Sequence, residues 1–359
     1  MQIFNSNYID FTKEPLFFGS GRNAARLDLN IDPFISKQFT KLRGLLWFPT
    51  DFTYTQDAID YDGLSPELQD LFLKNLKFQT LLDSVATRSV LEVFLPVTTS
   101  PRLEQWWVLH GYTESNHSDS YAEIVKALPV NATKVFDDIL INQNILDRGA
   151  SIVSAFDDTV IHNAKYSLTG ELTDEHKRSL IKSLYALNIL EACLFQSSFI
   201  ATFAFGENKL MDGSTRAVSR ISMDEDTHYA MTVYLINTLK KDPNWKYLFI
   251  ELQEEVVSMY QDALDADYIW IDYLFKDNAR LLGLNAPVLK QFVDYNINKA
   301  TAAIGLPSVA NEVKINPCSW ATKYTKIGAT QTAQKETDGV NYLLGALNKN
   351  MTQDDWTSL

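Results

Sequence analysis

Apolar positions recur along most of the chain at intervals of three and four residues, the spacing of one helix face, and few stretches alternate with period two. Ser65-Pro66-Glu67 reads as an N-cap followed by proline at the first helical position. Behind it, Leu68, Leu71, Phe72, Leu76, Leu81, Leu82 and Val85 predict a helix to about Leu95, ended by Pro96 and the run Thr98-Thr99-Ser100-Pro101. A second helix is predicted from about Arg102 to Leu128, stopped by Pro129, and others over 134–166, 173–206, 214–240, 245–274 and 286–304. From about Lys323 the chain becomes rich in Thr, Gln, Lys, Asn and Gly, with few apolar residues before Tyr342-Leu343-Leu344. We expect one all-α helical domain over residues 1–322 and a mobile tail over 323–359.

Composition sharpens this only in part. A chain of 359 residues with 46% hydrophobic content can bury a sizeable core. Its net charge of −13 argues against a broad phosphate-binding surface, so no nucleic-acid partner is expected. Two cysteines, Cys193 and Cys318, leave no disulfide framework and no thiolate zinc cluster, which suits a reducing compartment. The opening MQIFNSNYIDFTKEP has no apolar core of signal-peptide type, and a cytoplasmic location is expected. The most apolar stretch, from Ile189 to Phe205, is interrupted by Glu191, Gln196, Ser197 and Ser198. A buried helix carrying one functional carboxylate fits it better than a membrane span.

The chemistry lies in two Glu-x-x-His motifs, Glu114-Ser115-Asn116-His117 and Glu225-Asp226-Thr227-His228. Residues three apart share a helix face, so each pair can chelate one metal centre. Asp83 lies 31 residues before Glu114, and Glu191 lies 34 before Glu225. A turn signal falls near each midpoint, Val97 to Pro101 and Gly206 to Gly213. Fifteen helical residues out and a similar number back cover roughly 22 Å each way. Each carboxylate would then meet its Glu/His pair at the same height on adjacent antiparallel helices. Two such hairpins face to face bring four carboxylates and two imidazoles into one cavity. Four ionised carboxylates offset two divalent cations, and an oxygen and imidazole set without thiolate suits iron or manganese. Four-helix bundles that hold two irons or two manganese ions use this arrangement, with a fourth Glu where this chain has Asp83. The bland reading is buried polar residues or surface ion pairs, which would leave several buried carboxylates without a cation, at high cost. His110, His162 and His176 lack such partners in the sequence and read as structural or surface histidines.

Tyr121 follows His117 by four and Glu114 by seven, on the same face. Phe195 and Phe199 follow Glu191 by four and eight, and Ile221 precedes Glu225 by four. All are expected near the metals. A phenol in a dry apolar pocket beside an oxygen-activating metal pair could be oxidised and then shielded. Buried tyrosines otherwise serve as core with a hydrogen-bonded hydroxyl.

LLDSVATRS around Asp83, YTESNHSDSY from Tyr112 to Tyr121, LEACLFQSSF from Leu190 to Phe199 and MDEDTH from Met223 to His228 resemble the four metal-binding helices of the class I ribonucleotide reductase small, radical-generating subunit. The similarity runs from PLFFGSGRNAAR to NYLLGAL in the tail. The resemblance implies a ferritin-like bundle in which Asp83, Glu114 and His117 hold one ion and Glu191, Glu225 and His228 the other, with Glu114 and Glu225 bridging. It implies two iron ions per chain, or manganese, and reaction with O2. It makes Tyr121 the radical tyrosine, shielded by Phe195, Phe199 and Ile221. It routes the radical through His117, Asp224, Trp47 and Tyr342 to a large catalytic subunit docked by the tail, and it implies a homodimer. Ligand type leaves iron and manganese open. The segment from Lys165 to Glu175 is shorter than in some members of that family. Two other functions compete: a di-metal oxygenase or oxidase of the same fold, and an iron-storage protein.

Overall fold

Proline and glycine set the corners of the fold, and the helices between them follow the apolar spacing. The computed structural model describes residues 3–21 and 23–325. In chain order the helices are α1 (Pro33–Gly44), α2 (Thr55–Asp62), α3 (Pro66–Ser89), α4 (Pro101–Ala127), α5 (Ala132–Asp137), α6 (Gln143–Thr169), α7 (Asp174–Ile189), α8 (Phe195–Glu207), α9 (Asp212–Leu239), α10 (Lys246–Glu251), α11 (Gln253–Leu274), α12 (Ala286–Ala303) and the short α13 (Thr322–Thr325). Among the described residues there is no β-strand, only two isolated bridges. The two expected hairpins form: α3 packs on α4, and α8 on α9. They face each other through α3 against α8 and α4 against α9, with α6, α7 and α11 closing the bundle. The segment Asp174–Glu207, apolar and long enough to cross a membrane, lies buried inside this bundle.

Three differences from the sequence reading stand out. The helices α1 and α2 were not expected; they are only 12 and 8 residues long, too short for their periodicity to register. The helix expected over 134–166 is broken into α5 and α6, because Ile139-Leu140-Ile141 places three apolar residues in succession and no single face can bury them. Ile139 turns inward while Leu140 and Ile141 face out. The helix expected over 245–274 likewise divides at Leu252.

A subtler departure lies inside two of the expected helices. After α3 the chain widens into a π-helical turn, Val90–Phe94, and between α7 and α8 into another, Leu190–Leu194. Such turns bond i to i+5 and leave carbonyls without helical partners. Asn163 on α6 donates to the carbonyls of Glu92 and Val93, both at 2.9 Å. At the second turn Gln196 donates to the Glu191 carbonyl at 3.3 Å, Asn296 on α12 donates to Ala192, and Arg148 on α6 donates to Leu194 at 3.0 Å. Each wide turn is therefore tied to a neighbouring helix.

Polar side chains also lock the helices that face the interior. On α3, Asn75 donates to the Ser198 carbonyl at 2.9 Å, and Gln79 donates to the Ser198 hydroxyl at 3.2 Å. Asp83 is one turn further along this face. The start of α9 is capped from α2: Asp57 accepts from the backbone of Gly213 at 2.9 Å and from that of Ser214 at 2.6 Å. A carboxylate suits the positive end of a helix dipole. Gly213 is required here, since a Cβ would stand 2.3 Å from the Thr53 carbonyl oxygen.

Arg148 is the most demanding tie. Buried at the centre, it pairs with Asp267 of α11 and stacks 3.6 Å above the Phe78 ring. Removing one partner of a buried pair strands the other charge, so Asp267→Ala is expected to destabilise the apoprotein by about 3–5 kcal/mol in denaturant unfolding. A loss under about 1 kcal/mol, typical of an exposed pair, would mean the arginine is not held this way.

Candidate metal centre

The four helices that carry the candidate ligands bring them to one point. On α4, His110, Glu114, His117 and Tyr121 follow at intervals of four, three and four, forming one stripe. Asp83 faces this stripe from α3, and Glu225 and His228 face it from α9. Glu191 enters from the second π-helical turn. Asp83, Glu114, His117, Glu191, Glu225 and His228 are all fully buried, at 0% exposure. They form two overlapping groups, Asp83 with Glu114, His117 and Glu225, and Glu191 with Glu114, His228 and His110. Glu114 belongs to both.

Both motif histidines turn Nδ1 inward. His228 Nδ1 lies 2.8 Å from Glu225 and 3.0 Å from Glu114. His117 Nδ1 lies 3.1 Å from Glu225, with no hydrogen bond between them. Their outer nitrogens are tethered. His117 Nε2 meets Asp224 Oδ2 at 3.2 Å, and the Trp47 indole donates to the same oxygen at 2.9 Å. His228 Nε2 meets the Thr113 hydroxyl at 3.0 Å. That hydroxyl donates its own proton to the His110 carbonyl at 2.8 Å, so it accepts from His228. Such tethers fix the tautomer that leaves an Nδ1 lone pair for a metal.

The chemistry of this donor set fits a pair of cations. Both oxygens of Asp83 and one oxygen each of Glu114, Glu191 and Glu225 are buried without a hydrogen-bond partner. Among the described residues these carboxylates pair only with histidines. Burial and the negative charge of neighbouring Glu114 push Asp83 well above the usual carboxylate range, and burial with Glu225 does the same to Glu191. Burial opposes charge on Glu114 too, but the hydrogen bond from His110 and the nearby His117 and His228 rings hold it well below the usual range. His117 and His228 rise well above the ordinary histidine value against their burial, through Asp224 and Glu114 for the first and Glu225 and Glu114 for the second. Protons and cations therefore compete for the same buried side chains.

The other expected residues are placed as follows. Tyr121 is buried at 0% exposure with its hydroxyl unpartnered; burial and the charge of Asp83 hold its phenol well above the ordinary value. Phe195, Phe199 and Ile221 are buried in the same core, with the two phenylalanine rings stacked at 5.8 Å. Trp47 is buried at 5% exposure and stacks on His117 with ring centroids 6.1 Å apart. Tyr342 lies outside the described residues, as does the tail from residue 326. The first tail residues do pack: Tyr324 stacks on Phe203 at 4.8 Å and donates to Glu207 at 2.7 Å.

One residue must be reassigned. The sequence left His110 as structural or surface. It is fully buried, with Nε2 at 3.1 Å from Glu114 and 3.2 Å from Glu191. Its spacing of four before Glu114 was a usable signal, since i and i+4 share a helix face as i and i+3 do. His176 is also buried, bonded to Asn163 at 2.7 Å, and is structural as expected.

A model of the family described as ribonucleotide reductase, small chain, matches residues 31–317. The chain belongs to this family. This small chain is 34% identical to the ribonucleoside-diphosphate reductase subunit beta of Haemophilus influenzae, over 98% of its own length and 97% of the relative's. It is thus the small subunit of an oxidoreductase, ribonucleoside-diphosphate reductase. The ribonucleotide reductase R2 subunit from Clostridium botulinum shares its fold with a TM-score of 0.81 and 21% identity, over 91% of this chain and 98% of that one. An R2-like ligand-binding oxidase with a reconstituted Mn/Fe cofactor shares it at a TM-score of 0.63 and 17% identity, over 79% of this chain and 97% of that one.

Metals bind the deprotonated forms of these side chains, so binding releases the protons they carry. Titrating Fe(II) or Mn(II) into anaerobic apoprotein is expected to release protons, since Asp83, Glu191, His117 and His228 all hold protons more strongly than in water. Affinity should therefore fall as pH is lowered. Calorimetry in two buffers of different ionisation enthalpy reads the proton count; a count near zero contradicts the raised proton affinities.

Proposed function

We propose that this small chain holds two iron ions, with manganese as the alternative, and stores a radical on Tyr121 for use by a large catalytic subunit. Asp83, Glu114 and His117 would hold one ion and Glu191, Glu225 and His228 the other, with Glu114 and Glu225 shared. The Mn/Fe cofactor named for the R2-like oxidase of the same fold supports either metal. When bound, the metal pair would supply the oxidising power of O2 to the neighbouring phenol.

The residues then have distinct tasks. Tyr121 gives up one electron together with its phenolic proton. Asp83 is the carboxylate whose charge bears most on that phenol. Phe195, Phe199 and Ile221 keep water and reductants from the oxidised ring. The observation that carries the reading is the unbroken hydrogen-bonded line from the cluster: His117 to Asp224 at 3.2 Å, and Trp47 to Asp224 at 2.9 Å. It joins a metal-facing imidazole to an oxidisable indole through one shared carboxylate oxygen. Tyr342 would continue this route, in a tail over 323–359 that docks the large subunit. The chain would act as a homodimer in the cytoplasm, where the buried free thiols Cys193 and Cys318 stay reduced. Identity of 34% over nearly the full length with reductase subunits favours this function over that of an oxidase sharing the fold at 17%.

Two measurements test it. Adding Fe(II) and O2 to the apoprotein is expected to give a tyrosyl signal in electron paramagnetic resonance; Tyr121→Phe should keep about two metals per chain and lose the signal. Persistence of the same signal in that variant would assign the radical elsewhere. Trp47→Phe should retain metals and radical yet reduce ribonucleotides only at background with the large subunit, since phenylalanine is far harder to oxidise. Near-normal turnover removes Trp47 from the route.

A further inference from the structure

His110 stands within the cluster, yet the two Glu-x-x-His motifs do not account for it. Its Nε2 approaches Glu114 at 3.1 Å and Glu191 at 3.2 Å. His228 Nδ1 addresses the same two residues, at 3.0 Å and 3.8 Å. The two imidazoles lie face to face, centroids 3.6 Å apart and planes 21° from parallel. Each aims one nitrogen at the same carboxylate pair, and one ligand atom from each of His110, Glu114, Glu191 and His228 falls within 4.8 Å of the others.

We infer that His110 is a seventh protein ligand of the centre, bound through Nε2 to the ion held by Glu191 and His228. The inference rests on the dinuclear reading above and adds a donor to one half of it. A nitrogen that shares a motif ligand's partners at matching distances is placed to share its ion. The outer nitrogens of His117 and His228 are held by Asp224 and Thr113, whereas His110 Nδ1 has no hydrogen-bond partner. Packing fixes this ring instead. It lies between His228 and the indole of Trp107, centroids 6.0 Å apart, with Trp106 edge-on at 5.9 Å.

The two halves then differ. Around Asp83 the donors are carboxylates and one imidazole, His117; around Glu191 they are carboxylates and two imidazoles, His228 and His110. Imidazole favours iron over manganese, and carboxylate oxygen favours manganese. The Glu191 half is accordingly the more iron-selective of the two.

The test uses the full chain and Mn(II), which is stable in air. Crystals of the wild-type protein loaded with Mn(II) are expected to show Nε2 of His110 at coordination distance, about 2.1 Å, from the ion beside Glu191. A ring that stays about 3 Å from the carboxylates and does not touch the ion overturns the inference. In solution the wild type should bind two Mn(II) per chain, and His110→Ala should weaken one of them by about 10–100-fold while leaving the other unchanged. His110→Gln keeps an N–H donor toward Glu114 and Glu191; wild-type affinity in that variant reduces His110 to a hydrogen-bonding role. Two ions bound at wild-type affinity by His110→Ala defeat this inference and leave the dinuclear reading intact. Fewer than two ions in the wild type defeat both. Should the alanine variant fail to fold, the wild-type crystals still decide.

Discussion

Four carboxylates and three imidazoles occupy one buried spot at the middle of the bundle, and their charge has to be balanced there. A single unpaired ion in such a place is costly enough to unfold a domain of ordinary stability. Protons or divalent cations can supply that balance. Each ligand is supplied by a helix that runs through the core, so the four helices have to meet at one height. The turns after α3 and α7, the cap on α9 and the polar ties from Asn75 and Gln79 all serve that alignment.

The two π-helical turns show how the alignment is held. Widening a helix by one residue re-aims every side chain beyond it and leaves carbonyls exposed to an apolar interior. Here Asn163, Gln196, Asn296 and Arg148 reach in to satisfy them, three of the four from other helices. A wide turn therefore becomes a cross-link between elements. Glu191 sits inside one such turn, and Gln196 bonds its carbonyl.

Much of this was legible in the sequence because it is local. Glu114 with His117 and Glu225 with His228 need only the helical period, and Pro101 and Gly213 mark the hairpin corners directly. The distances from Asp83 to Glu114 and from Glu191 to Glu225 then fix the height of the site. What escaped depends on pairs far apart in the chain. Nothing near α2 says that Asp57 caps a helix more than 150 residues later. The π-helical turn at Leu190–Leu194 lies in the most apolar stretch, where most positions are buried and periodicity carries little phase. His110 escaped because its partners include Glu191, 81 residues away, and because i+4 spacing to one glutamate alone is common on helices. The route through Trp47 and Asp224 came from family resemblance; neither residue type would have distinguished itself by spacing.

The sealing of the centre has a kinetic side. With every motif ligand at 0% exposure, no ion can reach the cluster while the bundle is closed. Entry and escape both wait for α3, α4, α8 and α9 to part locally, an opening event governed by the core rather than by ligand exchange at the ion. A chelator in solution then meets a shut door whatever its own affinity, and removal of a bound ion proceeds at the breathing rate of the protein. The metal found in the cell would record which ion was abundant when the chain was first filled, not only which one binds best.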